Sequence, residues 1–386
     1  MTDDSLELTE RKVLDYARSC LESHLPLSAE GYKCSREELL HALLGVAAEE
    51  STLESLCADR GLPNAQTIRG YLNEQLRPER LPELECALNA ALAAEIPRRV
   101  RRRARDIAID WHDRPYYGKQ TQEQGLWIRS KARKGTTHFY RIASAYVMLD
   151  GLRVTLALHF YLPGDKPVTA LERLLSRVRE LEIPIRRLFL DKGFAGIDCL
   201  RYLHRQRWPA IIACTIRGKQ GGTKALCQGR KSYRTAYTFG QGQKTFTAEL
   251  AVCRVFSSAK RTGRLPRRAS WQVFILVHLE LSPQQVREQY RRRFGIESSY
   301  RCAAQVRGWT TSKNAAYRFV LMGLGFLLLN VWIQLRWLFT QMPRRGHRWL
   351  DTKRFQLARF ARFIVRALEQ HYGCIHSIRA TVAPRL

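Results

Sequence analysis

The sequence has no C-x-x-C pair, and its ten cysteines fall singly along 386 residues. No run of Cys and His carries zinc-ligand spacing, and the close pair Cys374 and His376 makes no ligand set by itself. G-x-S-x-G and H-E-x-x-H are both missing, so neither a serine-hydrolase elbow nor a helical zinc-protease site is written here. The glycine-rich stretch "GKQGGTK" (218–224) puts Gln220 after Lys219 and is not a Walker loop; a loop that contacts phosphate is the expectation. The opening "MTDDSLELTE" is acidic and lacks an apolar core, so no secretory leader is expected. Thiols in a reducing cytoplasm fit that reading. Long hydrophobic runs are also scarce. The exception, "FVLMGLGFLLLNVWIQL" (319–335), is about 17 residues long, the lower limit of a membrane span. Asn330 and Gln334 interrupt it and Arg318 and Arg336 flank it, so a helix buried in a globular core is expected, with no membrane partner.

Acidic residues are the other scarcity. The chain holds 65 Lys+Arg against 35 Asp+Glu, a formal charge of +30 and a pI near 10.3. With 45% hydrophobic and 26% charged residues it is globular in composition, not disordered. Such a field favours a polyanionic partner. The charge is uneven. Residues 1–96 carry 9 Lys+Arg against 18 Asp+Glu, a net −9; the remainder carries 56 against 17, a net +39. The change falls at "EIPRRVRRRARD", where Pro97 precedes a run of arginines.

The head reads as helices. "LTERKVLDYARSCLESHL" and "SREELLHALLGVAAEE" have helical apolar spacing, and Ser35 with Glu38 suits a capping box. In "STLESLCADRGLPNAQTIRGYLNEQL" (51–76), a short helix, a Gly61–Pro63 break and a second helix give a helix-turn-helix pattern. Its outward residues Asn64, Gln66, Thr67 and Arg69 can reach bases or phosphates; an ordinary helical hairpin fits the same pattern.

Past Pro97 the period changes. "RDIAIDWHD", "HFYRIASAYVML" and "RVTLALHFYL" read as strands, the last two joined at Asp150-Gly151. "VTALERLLSRVREL" is an amphipathic helix, "IRRLFLDKGF" a strand ending in acid, "IDCLRYLHRQ" a helix and "AIIACTI" a strand. A basic, glycine-rich, β-rich interval covers about 217–280 and includes "WQVFILVHL". "SPQQVREQYRRRFGIESSYRCAAQV" reads as one helix, with Ser282 as N-cap and Pro283 in the first turn. The class is α/β: a mixed sheet with flanking helices and an inserted β-rich segment, preceded by a helical N-terminal domain. The expected divisions are 1–96, 97–341 and a basic helical tail, 342–386.

Within "YRRRFGIESSYR" (290–301), Arg291, Arg292, Arg293 and Arg301 surround the single acid Glu297. Asp110 and Asp191 each end a strand, where α/β sheets place sites. If their strands are neighbours the two carboxylates converge, and a helix across that edge can add Glu297. Grouped acids repel unless a hard cation such as Mg²⁺ or Mn²⁺ joins them. Two such ions activate a hydroxyl and stabilise a leaving oxygen in phosphodiester chemistry. Taken singly, each acid also suits a turn or a local ion pair, Glu297 with Arg293 or Arg301 for example.

Four stretches go further: "AIDWHDRPYYG", "KGTTHFYRIASAYVMLDG", "LFLDKGF" and "YRRRFGIESSYR". In this order the chain resembles a DDE transposase of the bacterial insertion-sequence-four superfamily, in the branch related to haloarchaeal insertion sequences, over about residues 100–340. Tyr290, Arg293 and Glu297 match that family's signature; its lysine position is Ala304, and Arg301 or Arg307 are the bases nearest to replace it. The resemblance implies a ribonuclease-H-like core in which Asp110, Asp191 and Glu297 bind two Mg²⁺ (or Mn²⁺). It implies cut-and-paste movement of an insertion sequence by strand hydrolysis and strand transfer, commonly through a DNA hairpin. Tyr290, Arg293, Arg301, Arg307, Lys192 and Arg69 are the residues expected on DNA, and Trp271 and Trp309 are candidates for stacking a displaced base. The implied partners are double-stranded DNA, as terminal inverted repeats and target, and a second copy of the chain. The alternative is a transposase-derived DNA-binding protein without catalysis.

Overall fold

The computed structural model describes residues 7–118, 125–149, 152–218, 221–256, 269–294, 305–344 and 347–377. By internal contacts the chain forms two compact units. One comprises Met1–Pro97, Tyr116–Gln120 and Ser298–Leu386; the other comprises Arg98–Pro115 and Thr121–Glu297.

The first unit is helical. Its N-terminal part contains α1 (Glu10–His24), the hairpin β1 (Glu30–Gly31) and β2 (Cys34–Ser35), α2 (Arg36–Ala48), α3 (Leu53–Ala58), α4 (Ala65–Gln75) and α5 (Leu81–Ala94). The capping box expected at α2 is present: Ser35 Oγ accepts from Glu38 N at 3.2 Å, and Ser35 N donates to Glu38 Oε2 at 2.6 Å. From Leu39 to Ala48 every residue of α2 is buried. A helix apolar all round needs neighbours on every side, and α1, α3 and two C-terminal helices supply them. The helix expected in the apolar run spans Ala315–Phe339 and packs on α2 and α5. It is long and apolar enough to cross a membrane, yet 94% of its most apolar window is buried within the protein, as a core helix requires. The helix at Leu357–Tyr372 buries Leu357, Phe360, Ala361, Ile364 and Leu368 against α1 and α2, and leaves Arg359, Arg362 and Arg366 exposed.

The second unit opens with the short α6 (Arg98–Arg101) and is built on a nine-stranded sheet. In chain order its elements are β3 (Arg105–Pro115), β4 (Ile128–Arg133), β5 (Thr136–Leu149), β6 (Leu152–Tyr161), α7 (Pro167–Glu180), β7 (Ile185–Leu190), α8 (Ile197–Arg205), β8 (Ala210–Cys214), β9 (Tyr233–Gln241), β10 (Lys244–Phe256), β11 (Ala269–Val277) and α9 (Pro283–Phe294). The sheet runs β4-β5-β3-β7-β8-β11-β10-β9, with β6 also on β5. Among the described residues, only β3–β7 and β7–β8 are parallel pairs. Those strands need crossovers, which α7 and α8 provide. On α7, Leu171, Leu174, Leu175 and Val178 fall on one face, as expected, and pack on β5 and β6.

Two features were not foreseen. β4, "IRSKAR", has no apolar alternation; it forms by backbone pairing with the first residues of β5. The β-rich interval continues the central sheet, because β11 pairs antiparallel with β8 through Ile275↔Ile212. The remaining described residues form two further helices and a hairpin in the first unit, numbered α10 (Ala315–Phe339), β12 (Gln341–Arg344), β13 (His347–Leu350) and α11 (Leu357–Tyr372). The turn expected at Asp150-Gly151 lies outside the described residues.

Candidate active site

In β3, Ile107, Ala108 and Ile109 are buried and Asp110 follows; in β7, Leu188, Phe189 and Leu190 are buried and Asp191 follows. The two strands are parallel neighbours with Ile109 opposite Leu190. The next residue on each is therefore an aspartate, and adjacent strands lie about 4.8 Å apart. The two carboxylates, far apart in sequence, stand side by side at one end of the parallel strands.

The turn after Asp191 is a short 3-10 helix, Lys192–Phe194. It fits over the residue after Asp110. Trp111 stacks on Phe194 at 4.5 Å between ring centroids and 7° between planes. A Cβ on Gly193 would lie 2.5 Å from Trp111 Nε1, so glycine permits this approach. The stretches "AIDWHD" and "LDKGF" thus lock together through Trp111, Gly193 and Phe194.

α9 crosses β7. Arg187 hydrogen-bonds Gln289, and Tyr290 Oη donates to the Leu190 carbonyl at 3.0 Å. Tyr290 is 2% exposed and packs against Phe189 and Phe274. Its hydroxyl accepts from Arg293 Nη1 at 2.7 Å, and Arg293 Nη2 reaches Asp110 Oδ1 at 3.1 Å. The same oxygen accepts from Trp111 N at 2.9 Å. Burial pushes the Tyr290 hydroxyl up to about 12; Arg293 opposes this, and Asp191 and Asp110 add to it. Burial alone would lower Arg293, but Tyr290, Asp110, Tyr146 and Asp191 together hold it above its ordinary value, so the buried guanidinium stays charged. It serves as counter-charge to the carboxylates.

Sequence reasoning missed Arg153. It is fully buried on β6; its Nη2 donates to Ser144 Oγ at 2.6 Å and its guanidinium lies 4.1 Å from the Tyr146 ring centroid. Ser144 is the register partner of Asp110, so Arg153 approaches the same sheet face. Nothing in "LRVTLALHFY" distinguished a buried arginine from one at a strand end. Trp111 and Gly193 were equally silent, because their contact exists only once β3 and β7 are neighbours.

The other expected residues fall as follows. Lys192 is exposed beside Asp191. Glu297, Arg301 and Ala304 lie outside the described residues. Arg69 and Arg307 belong to the helical unit. Arg69 pairs with Glu54, and Asn64 caps α4 by accepting from Gln66 N at 2.7 Å. Arg307 is half-buried, 5.1 Å from the Trp309 ring, with burial lowering its pKa and Glu50 opposing that. Trp309 is 53% exposed, whereas Trp271 is half-buried on β11 opposite Arg254. Asp113, the other acid of the first stretch, is held by Arg133 and by Arg141 at 2.7 Å, a structural ion pair.

Paired carboxylates at the ends of parallel strands, backed by a buried guanidinium, define a chain built to gather negative charge at one point of a mixed sheet. Comparison gives the family. Residues 101–330, more than half of the chain, match the transposase DDE domain, and the chain belongs to that family, DNA transposases that work with divalent metal ions. No curated protein matches it. Its fold is similar to that of piggyBac transposase, seen by cryo-EM in a synaptic complex with hairpin DNA: TM-score 0.57 and 10% identity, over 95% of this chain and 81% of that one. Identity this low speaks to the fold alone.

Proposed function

We propose that this chain is a cut-and-paste DNA transposase of the insertion-sequence-four superfamily, in the branch related to haloarchaeal insertion sequences, with a ribonuclease-H-like core. The observation that carries this is the pairing of Asp110 and Asp191 on neighbouring parallel strands, with Arg293 bridging α9 to Asp110. The order β6-β5-β3-β7-β8, antiparallel then parallel, suits such a core.

Side-by-side aspartate carboxylates are hard oxygen donors and fit Mg²⁺ or Mn²⁺. Asp110 and Asp191, with Glu297 from the helix signature, are the residues that would hold two such ions. When bound, the ions make a hydroxyl acidic enough to attack and neutralise charge on the leaving oxygen. In the first reaction a water oxygen attacks a phosphodiester at an element end. The bond to the 3′ oxygen breaks, leaving a 3′-hydroxyl and a 5′-phosphate. In the second, that hydroxyl attacks a phosphodiester of the opposite strand or of target DNA. The displaced 3′ oxygen takes up a proton as the attacking hydroxyl loses one, so no external energy source is needed. Arg293, charged and rigidly tied to Tyr290, positions Asp110 and offsets the repulsion between carboxylates. Lys192 and the exposed arginines hold the backbone, and a second copy of the chain holds the other element end. The reactions take place in the cytoplasm.

Incubating the full chain with element-end DNA and Mg²⁺ tests this. Wild type cleaves, and Asp191→Ala lowers the rate by roughly 10³-fold or more. Cleavage retained in Asp191→Ala removes Asp191 from the site. Ala304, in place of the signature lysine, favours the second reading of a DNA-binding protein without catalysis, and wild type that binds but never cleaves supports it.

A further inference from the structure

Far from the aspartates in sequence, and within the helical unit, a second group of ligating side chains is unused by the chemistry above. Glu37 and His41 lie four residues apart on α2, so they project from one face. His371 comes from the last turn of α11. The ligand atoms of all three lie within 4.8 Å of one another. His41 Nε2 is 3.8 Å from Glu37 Oε1. Donors about 2.0–2.1 Å from a tetrahedral zinc ion sit roughly 3.3 Å apart, so turning the exposed His371 and half-exposed Glu37 closes the set.

The observation pointing to a ligand is His41 itself. Its side chain is fully buried. Its Nδ1 is 2.9 Å from Tyr372 Oη, while its Nε2 is buried and has no hydrogen-bond partner. A buried imidazole with one nitrogen committed to an outer partner and the other bare is the arrangement of a metal-binding histidine. Two cations stand nearby and oppose a dication: Arg18, 3.9 Å from Glu37, and Arg11, 3.4 Å from His371 Nδ1. Each is offset by its own carboxylate, Arg18 by Glu22 at 3.2 Å and Arg11 by Asp15 at 3.0 Å.

We infer that Glu37, His41 and His371 form a structural site for a transition-metal dication of the Zn²⁺ class, clipping α2 to α11 and so the N-terminal helices to the C-terminal one. Two imidazoles and one carboxylate suit Zn²⁺ and not Mg²⁺, which prefers all-oxygen sets. Water completes the coordination. Local spacing hid this group, because its third ligand follows the first two by most of the chain.

The test is metal binding by the chelator-stripped full chain, in Mg²⁺ excess to fill the oxygen site. Wild type is expected to bind one equivalent of Zn²⁺ and to melt at a higher temperature with it. His371→Gln and Glu37→Gln are expected to weaken Zn²⁺ at least ~10-fold and to lose the shift, while melting like stripped wild type without metal. Asp191→Ala is expected to keep the shift, which separates this site from the catalytic one. Co²⁺ added to stripped wild type is expected to give the visible absorption of a tetrahedral site, a readout that needs no variant. No Zn²⁺ shift in wild type, a shift unchanged in His371→Gln and Glu37→Gln, or one lost only in Asp191→Ala overturns the proposal.

Discussion

Arg293 shows how a single buried charge is made tolerable. Taken out of water without a partner, a guanidinium is strongly unfavourable. Here Asp110 at 3.1 Å and the Tyr290 hydroxyl at 2.7 Å receive it. Asp106, earlier on β3, does the converse with a carboxylate: it accepts from Arg186 at 2.6 and 2.8 Å and from Arg187 at 2.7 Å. Burial alone would raise its pKa, but the two arginines hold it below the ordinary 3.8. The stability this pairing contributes is therefore complete above about pH 4 and is lost as pH falls through the depressed value. Denaturation midpoints measured from pH 7 downward should drop on that acid limb. Asp106→Asn should lower the midpoint at pH 7 and flatten the limb; identical profiles would refute the assignment. Asp110 and Asp191 were legible in the sequence because each closes a short apolar run. That they meet was not, since it depends on β3 and β7 pairing in register. Asp113, on the same strand, is instead committed to Arg133 and Arg141.

At the scale of elements, pattern was most legible where burial was one-sided. α7, α8 and the capping box of α2 follow from spacing alone. α10 was legible as a core helix because Asn330, Gln334 and the flanking arginines spoil a membrane span. Its partners were not, because apolar residues do not name what they touch. α10 meets α5 closely at Gly323: a Cβ there would lie 2.5 Å from Leu88 Cδ1 and 2.9 Å from Cδ2, and Leu88 is fully buried. Gly323→Val should therefore destabilise the helical unit by about 1–3 kcal/mol through overpacking. A lowered urea midpoint checks this; an unchanged one would mean the two helices separate easily. The β-rich interval was legible as strands but not as a continuation of the main sheet. Strand propensity says nothing about which edge a hairpin will extend.

At the scale of the molecule, the acidic head stood out against the basic body. The grouping of the chain accounts for it. Residues 298–386 carry 15 Lys+Arg against 2 Asp+Glu, a net +13, and they fold with the head. Arg366 reaches Glu10 at 3.2 Å, and Glu369 reaches Arg60, which also pairs with Glu49. The head's net negative charge is thus offset within its own unit, and most of the surplus positive charge lies in the unit that holds Asp110 and Asp191. A surplus of that sign suits a polyanionic partner such as DNA. The account rests on those two carboxylates acting as one metal-binding group, and exchanging oxygen for sulfur tests it most directly. Thiolate ligands accept Mn²⁺ far more readily than Mg²⁺. Asp110→Cys and Asp191→Cys should each abolish Mg²⁺-supported cleavage of element-end DNA and regain part of it with Mn²⁺, while Asp198→Cys, at an exposed position on α8, keeps its Mg²⁺ activity. Full Mg²⁺ activity in either aspartate variant, or no response of either to Mn²⁺, would contradict the account.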